Sequence, residues 1–294
     1  MPSWQARLFS FVLRHTFKRK LAAARDISAI RAVMNRAGRY TVPSILRITP
    51  AIINDVDGDW TEGPTKNHLM LFLHGGGYIG CTLKTHRPYA CFFALHGFRV
   101  FMPDYRLAPE HPFPKGLDDA VAAYRGLRSA YPGKPIVIAG DSAGGGLALA
   151  TMLRLRDEGD ALPKAAALFS PFTDLTTASE SRRMNDRLCA MFHSAGLDEV
   201  PGFYVPRATA ESLKNPLISP VYADYAGFPP LLIHVGADET LRDDSIRLAA
   251  KAREAGVHVE LKVWPAVPHD WQLAYNMIPE GRQSLEEASA FLKT

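Results

Sequence analysis

Residues 135–153 read Pro135-Ile136-Val137-Ile138-Ala139-Gly140-Asp141-Ser142-Ala143-Gly144-Gly145-Gly146-Leu147-Ala148-Leu149-Ala150-Thr151-Met152-Leu153. An apolar, β-branched run ends in Gly-x-Ser-x-Gly, and a helix-forming run starts directly after it. The pentapeptide alone arises by chance too often to decide anything. Its context decides. A strand that becomes a helix within a few residues needs glycines where no side chain fits, and it holds the serine between them on a strained turn. Ser142 is therefore read as a nucleophile and not as a passive turn serine.

Outward from this turn the pattern repeats. Residues 69–73, 99–102, 165–169 and 231–235 are further short apolar runs, and 117–130, 143–157 and 243–255 carry helical spacing. Buried parallel strands read as near-continuous apolar runs because helices cover both faces, so this alternation predicts an α/β fold with a mostly parallel sheet. Residues 257–264 alternate Val257, Val259, Leu261 and Val263 with His258, Glu260 and Lys262, which suits a sheet edge. Between 40 and 60 the runs are short and extended, ending at the turn signal Asp57-Gly58. Residues 1–40 read as helical. Trp4, Leu8, Phe11 and Val12 recur at helical spacing, and this apolar stripe is expected to pack on the protein itself, the alternative being a membrane surface. Residues 174–216 contain no clean strand, and an insertion this long between strands is expected to form part of a cap over the sheet's C-terminal edge.

At 294 residues and 47% hydrophobic, the chain can bury one sizeable core. The formal net charge of +4 calls for no nucleic-acid partner. Three cysteines, Cys81, Cys91 and Cys189, form neither a disulfide framework nor a Cys-x-x-Cys pair, which predicts a reducing, cytoplasmic setting. No apolar stretch approaches the roughly 18 residues of a membrane span, so no stable membrane insertion is expected. Cations interrupt the N-terminal apolar positions in an order foreign to a secretory signal, and the segment is expected to be retained.

His74-Gly75-Gly76-Gly77 leaves the end of the 69–73 run. Backbone N–H groups of such a loop can converge on one oxygen, as a tetrahedral oxyanion requires. The Lys-Ser/Thr that would complete a phosphate loop is missing. His74 is expected to anchor the loop and not to act as the base. Of the ten histidines, only His234, His258 and His269 lie within or beyond the fifth apolar run. His234 falls inside an apolar strand and His258 on the alternating one. His269, in the loop Val267-Pro268-His269-Asp270-Trp271, stands where a general base belongs. The turn after residue 235 carries four carboxylates. Asp243 and Asp244 precede a helical segment and read as its N-terminal caps and dipole partners. Asp238 and Glu239 remain, and strand geometry does not choose between them.

With these residues in place the sequence resembles the hormone-sensitive-lipase-like carboxylesterases of the α/β-hydrolase superfamily. The resemblance rests on His74-Gly75-Gly76-Gly77-Tyr78, the run from Asp104-Tyr105-Arg106-Leu107-Ala108-Pro109-Glu110 to Pro114, Gly140-Asp141-Ser142-Ala143-Gly144-Gly145, Ser219-Pro220 and the late His269. It implies an α/β-hydrolase fold with a central, mostly parallel sheet of about eight strands flanked by helices. An N-terminal helical cap segment (1–45), a core in two parts (46–173 and 217–294) and a cap insertion (174–216) would complete it. It further implies a serine carboxylesterase acting on short- to medium-chain acyl esters without metal or organic cofactor. Ser142 would be nucleophile, His269 base, and the Gly75, Gly76 and Ala143 amides the oxyanion donors. Counting back from Leu241-Arg242-Asp243, Glu239 falls at the acid position, with Asp238 as the alternative. Tyr78, Asp141 and Phe203 are the candidate pocket residues, Arg106 and Glu110 are expected to pair, and a homodimer is expected through residues 257–264. A non-catalytic small-molecule receptor on the same scaffold is the alternative from another class, and an amidase, deacetylase or true lipase the alternative among enzymes.

Overall fold

Each apolar run becomes a strand that is buried on both faces. The computed structural model describes residues 2–37 and 40–294, so Met1, Gly38 and Arg39, the last two within the stretch expected to be helical, lie outside the described residues. Three helices open the chain, α1 (Trp4–His15), α2 (Phe17–Ala23) and α3 (Ile27–Met34). A hairpin follows, β1 (Arg47–Ile53) and β2 (Val56–Glu62), then β3 (His68–Leu73), α4 (Leu83–Leu95), β4 (Phe98–Pro103) and α5 (Lys115–Ala130). The central turn joins β5 (Ile136–Asp141) to α6 (Ser142–Asp157), and β6 (Ala166–Phe169) leads into the insertion with α7 (Glu180–Met184) and α8 (Ser194–Tyr204). The chain ends with β7 (Leu231–Gly236), α9 (Arg242–Glu254), β8 (Val259–Trp264) and α10 (Pro279–Phe291).

The eight strands form one sheet in the order β1-β2-β4-β3-β5-β6-β7-β8. β1–β2 and β2–β4 pair antiparallel, and all later neighbours pair parallel. The expected edge strand, β8, is at the edge. Alternate residues point to opposite faces. Leu71, Leu73, Ile138, Leu168 and Ile233 join one cluster with α5, α6 and α9 side chains, while Met70, Phe72, Val137, Ala167 and Leu232 join another with α4 and α10. Helices on both faces are what the near-continuous apolar runs require. Helical spacing does not mark α4, because Tyr89, Ala90, Cys91, Phe92, Phe93 and Ala94 are all buried and leave it no polar stripe.

Three expectations are corrected. Asp57-Gly58 lies inside β2, and the hairpin turn is Asn54-Asp55, with φ of 49° and 63°; both residue types tolerate this left-handed backbone. Arg106 pairs with Asp119 (2.6 Å from Nη2 to Oδ1), and Glu110 pairs with Arg31 of α3 (2.6 Å), so the two sit in separate ion pairs. Finally, Trp4, Leu8, Phe11 and Val12 do not pack on the protein. α1 turns Ala6 and Phe9 inward against Trp271 and Ile278 and leaves the stripe exposed. Among the described residues no helix is long and apolar enough to cross a membrane.

The β5–α6 turn shows why its glycines are required. A Cβ on Gly144 would lie 2.0 Å from the Leu73 carbonyl oxygen and 2.5 Å from that of His74, and one on Gly140 would lie 2.4 Å from the Gly144 carbonyl oxygen. Ser142 between them has φ +52°. Gly144→Ala therefore forces backbone apart at the centre of the sheet and should lower stability by about 3 kcal/mol. A urea-denaturation midpoint unchanged by this substitution would contradict the packing described.

Candidate active site

Parallel strands deliver their following loops to one side of the sheet, and the chemistry expected from the sequence gathers there. Ser142 opens α6 at the end of β5. It is 7% exposed and lines a cavity of about 380 Å³ together with Gly76, Gly77, His269 and Asp270. The roof of this cavity comes from Phe17 and Leu21 of α2, Met191 and Phe192 of the insertion, and Val200 and Phe203 of α8. A larger, more open groove of about 850 Å³ between β8 and α10 is lined by none of Ser142, Glu239 or His269.

The two candidate acids separate cleanly. Glu239 is 1% exposed, and its Oε2 lies 2.6 Å from His269 Nδ1. Its Oε1 accepts from Ser170 Oγ and from the Gly236 N–H, both at 2.6 Å. Asp238 is half-buried and makes no side-chain hydrogen bond among the described residues. Asp243 and Asp244 are not caps, since Leu241 occupies that position, but both lie in the first turn of α9, where they complement the helix dipole as expected. Asp244 also accepts from the Thr173 and Asp174 N–H groups (3.0 and 2.9 Å) and Ser179 Oγ (2.5 Å), tying the root of the insertion to α9. Burial pushes its carboxyl up to about 6.

His269 is 2% exposed and faces the ring of Phe192 edge-on, with centroids 4.9 Å apart. Its Nε2 makes no hydrogen bond, to Ser142 or to any other described residue, but lies 3.0 Å from Asp270 Oδ2. Burial pulls the imidazole pKa down, and the Asp270 and Glu239 carboxylates outweigh it, so the value stands well above that of an ordinary histidine. Burial, reinforced by Asp141 and Glu239, pushes the Asp270 carboxyl up against the pull of His269. Asp270 adopts φ +51°, which turns its side chain back beside the imidazole. Sequence reasoning overlooked Asp270, although it adjoins His269. It also overlooked Ser170 and His86, which no spacing marks.

The glycine loop departs from expectation. The Gly75 N–H donates to Asp141 Oδ1 (3.0 Å), so it is not available to an oxyanion, and Gly75 does not line the cavity. Gly76 and Gly77 do line it, and neither N–H has a hydrogen-bond partner among the described residues. Ala143 is the second residue of α6, where no intrahelical carbonyl reaches its N–H. Two candidate pocket residues also fall outside the cavity. Asp141 is fully buried, its carboxylate held by Gly75 and by His86 Nε2 (2.9 Å). The Tyr78 ring stacks on Tyr204 with centroids 4.0 Å apart and packs beneath the loop. Of the three, only Phe203 lines the cavity. His74 is buried, its Nδ1 2.7 Å from the Gly75 carbonyl and its ring stacked on Tyr105. Burial, with the nearby His86, lowers its pKa to about 4. His234 is buried in β7 with Nδ1 2.8 Å from Ser284 Oγ, whereas His258 is exposed.

The sequence profile of the alpha/beta hydrolase fold family matches residues 70–273. An acetyl-hydrolase of Streptomyces hygroscopicus is 39% identical over 240 residues, 80% of this chain and 79% of its own. An esterase of Acinetobacter venetianus is 32% identical over 268 residues, 90% of this chain and 88% of its own. Among solved structures, EstE5 soaked with p-nitrophenyl butyrate superposes with a TM-score of 0.92 at 34% identity, covering 99% of this chain and 98% of that one. An esterase from the bacterial hormone-sensitive lipase family gives 0.91 at 34% identity with the same coverage. Sequence and architecture agree across nearly the whole chain, which belongs to the α/β-hydrolase-fold family and, within it, to the hormone-sensitive-lipase-like esterases, hydrolases of carboxylic esters.

Proposed function

We propose that the enzyme hydrolyses short- to medium-chain acyl esters through a Ser142–His269–Glu239 triad and an acyl-enzyme intermediate. The observation that carries this is the 2.6 Å contact between Glu239 Oε2 and His269 Nδ1 beside a cavity that Ser142 also lines. With Nδ1–H held by the carboxylate, Nε2 is the nitrogen left to exchange a proton with Ser142 Oγ. Its lack of a hydrogen bond to Ser142 without substrate fits the looser geometry common in unliganded sites.

In the first half-reaction Ser142 Oγ attacks the ester carbonyl as its proton passes to His269 Nε2. The Gly76, Gly77 and Ala143 amides receive the oxyanion, replacing the Gly75 donor expected from the sequence. The tetrahedral adduct then expels the alkoxide, which takes the proton from His269. Water, deprotonated by the same nitrogen, releases the acid and restores Ser142. The segments 1–45 and 174–216 act as the cap. Their Phe17, Leu21, Phe192 and Phe203 side chains surround the acyl group, and a volume of about 380 Å³ lies at the small end of ligand sites.

Ser142→Ala should reduce hydrolysis of p-nitrophenyl butyrate by at least about a thousandfold, and Glu239→Gln by a comparable factor. Asp238→Asn should stay within about twofold of the parent. Retention of a tenth of the rate by the Ser142 variant refutes the nucleophile, and a crippled Asp238 variant beside an active Glu239 variant reverses the choice of acid. Because His269 acts as base only when neutral, its raised pKa sets the acidic limb of the kcat/KM–pH profile. Asp270→Asn removes a negative charge beside Nε2, so that limb should move to lower pH. A limb that stays in place denies Asp270 this influence. Across p-nitrophenyl esters of increasing chain length, kcat/KM should peak at butyrate to octanoate and fall about tenfold by laurate. A profile still rising at laurate would instead mark a long-chain lipase.

A further inference from the structure

The hydrolytic chemistry leaves the outer face of α1 without a role. Trp4, Leu8, Phe11 and Val12 are 69, 51, 57 and 44% exposed. Among the described residues nine large apolar side chains are at least 44% exposed, and one helix of twelve residues carries four of them, too dense a cluster to count as ordinary surface scatter. Two more adjoin it. Leu188 offers its carbonyl to Arg14 Nη2 (2.6 Å), and Met277 precedes Ile278, which packs with Ala6.

The charge that these two helices carry has one sign. Residues 1–25 hold Arg7, Arg14, Lys18, Arg19, Lys20 and Arg25 and no carboxylate before Asp26. Arg14 and Lys18 are turned inward onto the carbonyls of residues 186–189. Arg7, Arg19, Lys20 and Arg25 are exposed and form no ion pair among the described residues. Two carboxylates beside the helices are hydrogen-bonded, Glu280 by the N–H and Oγ of Ser3, and Asp186 by His193 and the Ser194 N–H.

We propose that α1 and α2 dock the enzyme on an anionic lipid surface, with Trp4, Leu8 and Phe11 entering the headgroup layer and Arg7, Arg19 and Lys20 meeting lipid phosphates. An apolar stripe flanked by cations is the form of helix that lies in a membrane interface, and tryptophan is its usual anchor. A second copy of the chain fits this face poorly, because a two-fold contact sets the same patch against itself and brings like charges together. Docking would also hold the cavity near lipid. Only Thr16 separates α1 from α2, whose Phe17 and Leu21 line the cavity.

Vesicle binding tests this without turnover, so its outcome is separate from that of the proposed hydrolysis. The full chain is mixed with vesicles of phosphatidylcholine alone or with added phosphatidylglycerol, and binding is read by co-sedimentation and tryptophan emission. Trp60, Trp264 and Trp271 are at most 5% exposed, so a blue shift reports Trp4. The parent should bind the phosphatidylglycerol vesicles with a blue shift, should not bind phosphatidylcholine alone, and should be released by salt. The triple variant R7Q/R19Q/K20Q should weaken binding on the order of a hundredfold. The double variant Leu8→Ser/Phe11→Ser should abolish it, and both should keep the parent's rate on soluble p-nitrophenyl butyrate. A parent that stays in the supernatant with anionic vesicles at low salt overturns the proposal, as does undiminished binding by either variant. A parent dimer in sedimentation velocity that Leu8→Ser/Phe11→Ser converts to monomer also overturns it, since a second copy would then cover the face.

Discussion

Three strand ends converge on one carboxylate. Glu239 accepts from Ser170 just after β6, from Gly236 at the end of β7, and from His269 in the loop after β8. A carboxylate buried to this degree is costly unless it is hydrogen-bonded, and three donors at 2.6 Å occupy three of its four lone pairs. The same arrangement fixes the imidazole's plane and leaves Nε2 toward the cavity. The orientation of His269 therefore depends on the register of the parallel strands, and the packing of the apolar runs sets that register. Core and site are one construction here.

A second buried carboxylate organises the opposite wall. Asp141, at the end of β5, holds the Gly75 N–H with one oxygen and His86 with the other. It thus anchors the glycine loop after β3 to the strand that delivers Ser142. The first glycine is consumed in fixing the loop, and the next two are left free to face the cavity. Asp244 repeats the device farther out, holding the root of the insertion against α9. The strand ends and α9 supply three acids whose hydrogen bonds determine where three loops lie.

Much of this was legible in the sequence, and what was not has physical causes. Parallel strands show themselves because burial on both faces makes them apolar throughout, and the β5–α6 turn because only glycine fits beside the Leu73 carbonyl. His269 could be placed by its position after the last strand. Glu239 could not be separated from Asp238 by chemistry, since adjacent residues of one turn differ only in direction, and that direction depends on Ser170 and Gly236 at other strand ends. The resemblance gives Gly75 to the oxyanion, but Asp141, 66 residues away, takes its N–H. Arg106 and Glu110 lie in one motif, yet Asp119 of α5 and Arg31 of α3 take them as partners instead. Local sequence identifies groups that need partners. It does not name the partners.

The N-terminal helices extend this point to the surface. The spacing of Trp4, Leu8, Phe11 and Val12 establishes that α1 has an apolar face, but an apolar face can be met by protein or by lipid with the same pattern. In the fold the small Ala6 and the ring of Phe9 take the inward position, and Arg14 and Lys18 lock the helices to the 186–189 carbonyls. The helix could have rolled to bury its larger residues only by giving up those bonds and exposing two cations' carbonyl partners. α2, by contrast, turns its apolar residues into the cavity roof. Two helices separated by one residue thus divide the work, α2 lining the cavity and α1 presenting an outward apolar stripe. The two surfaces meet at Thr16, which ends α1 and precedes α2.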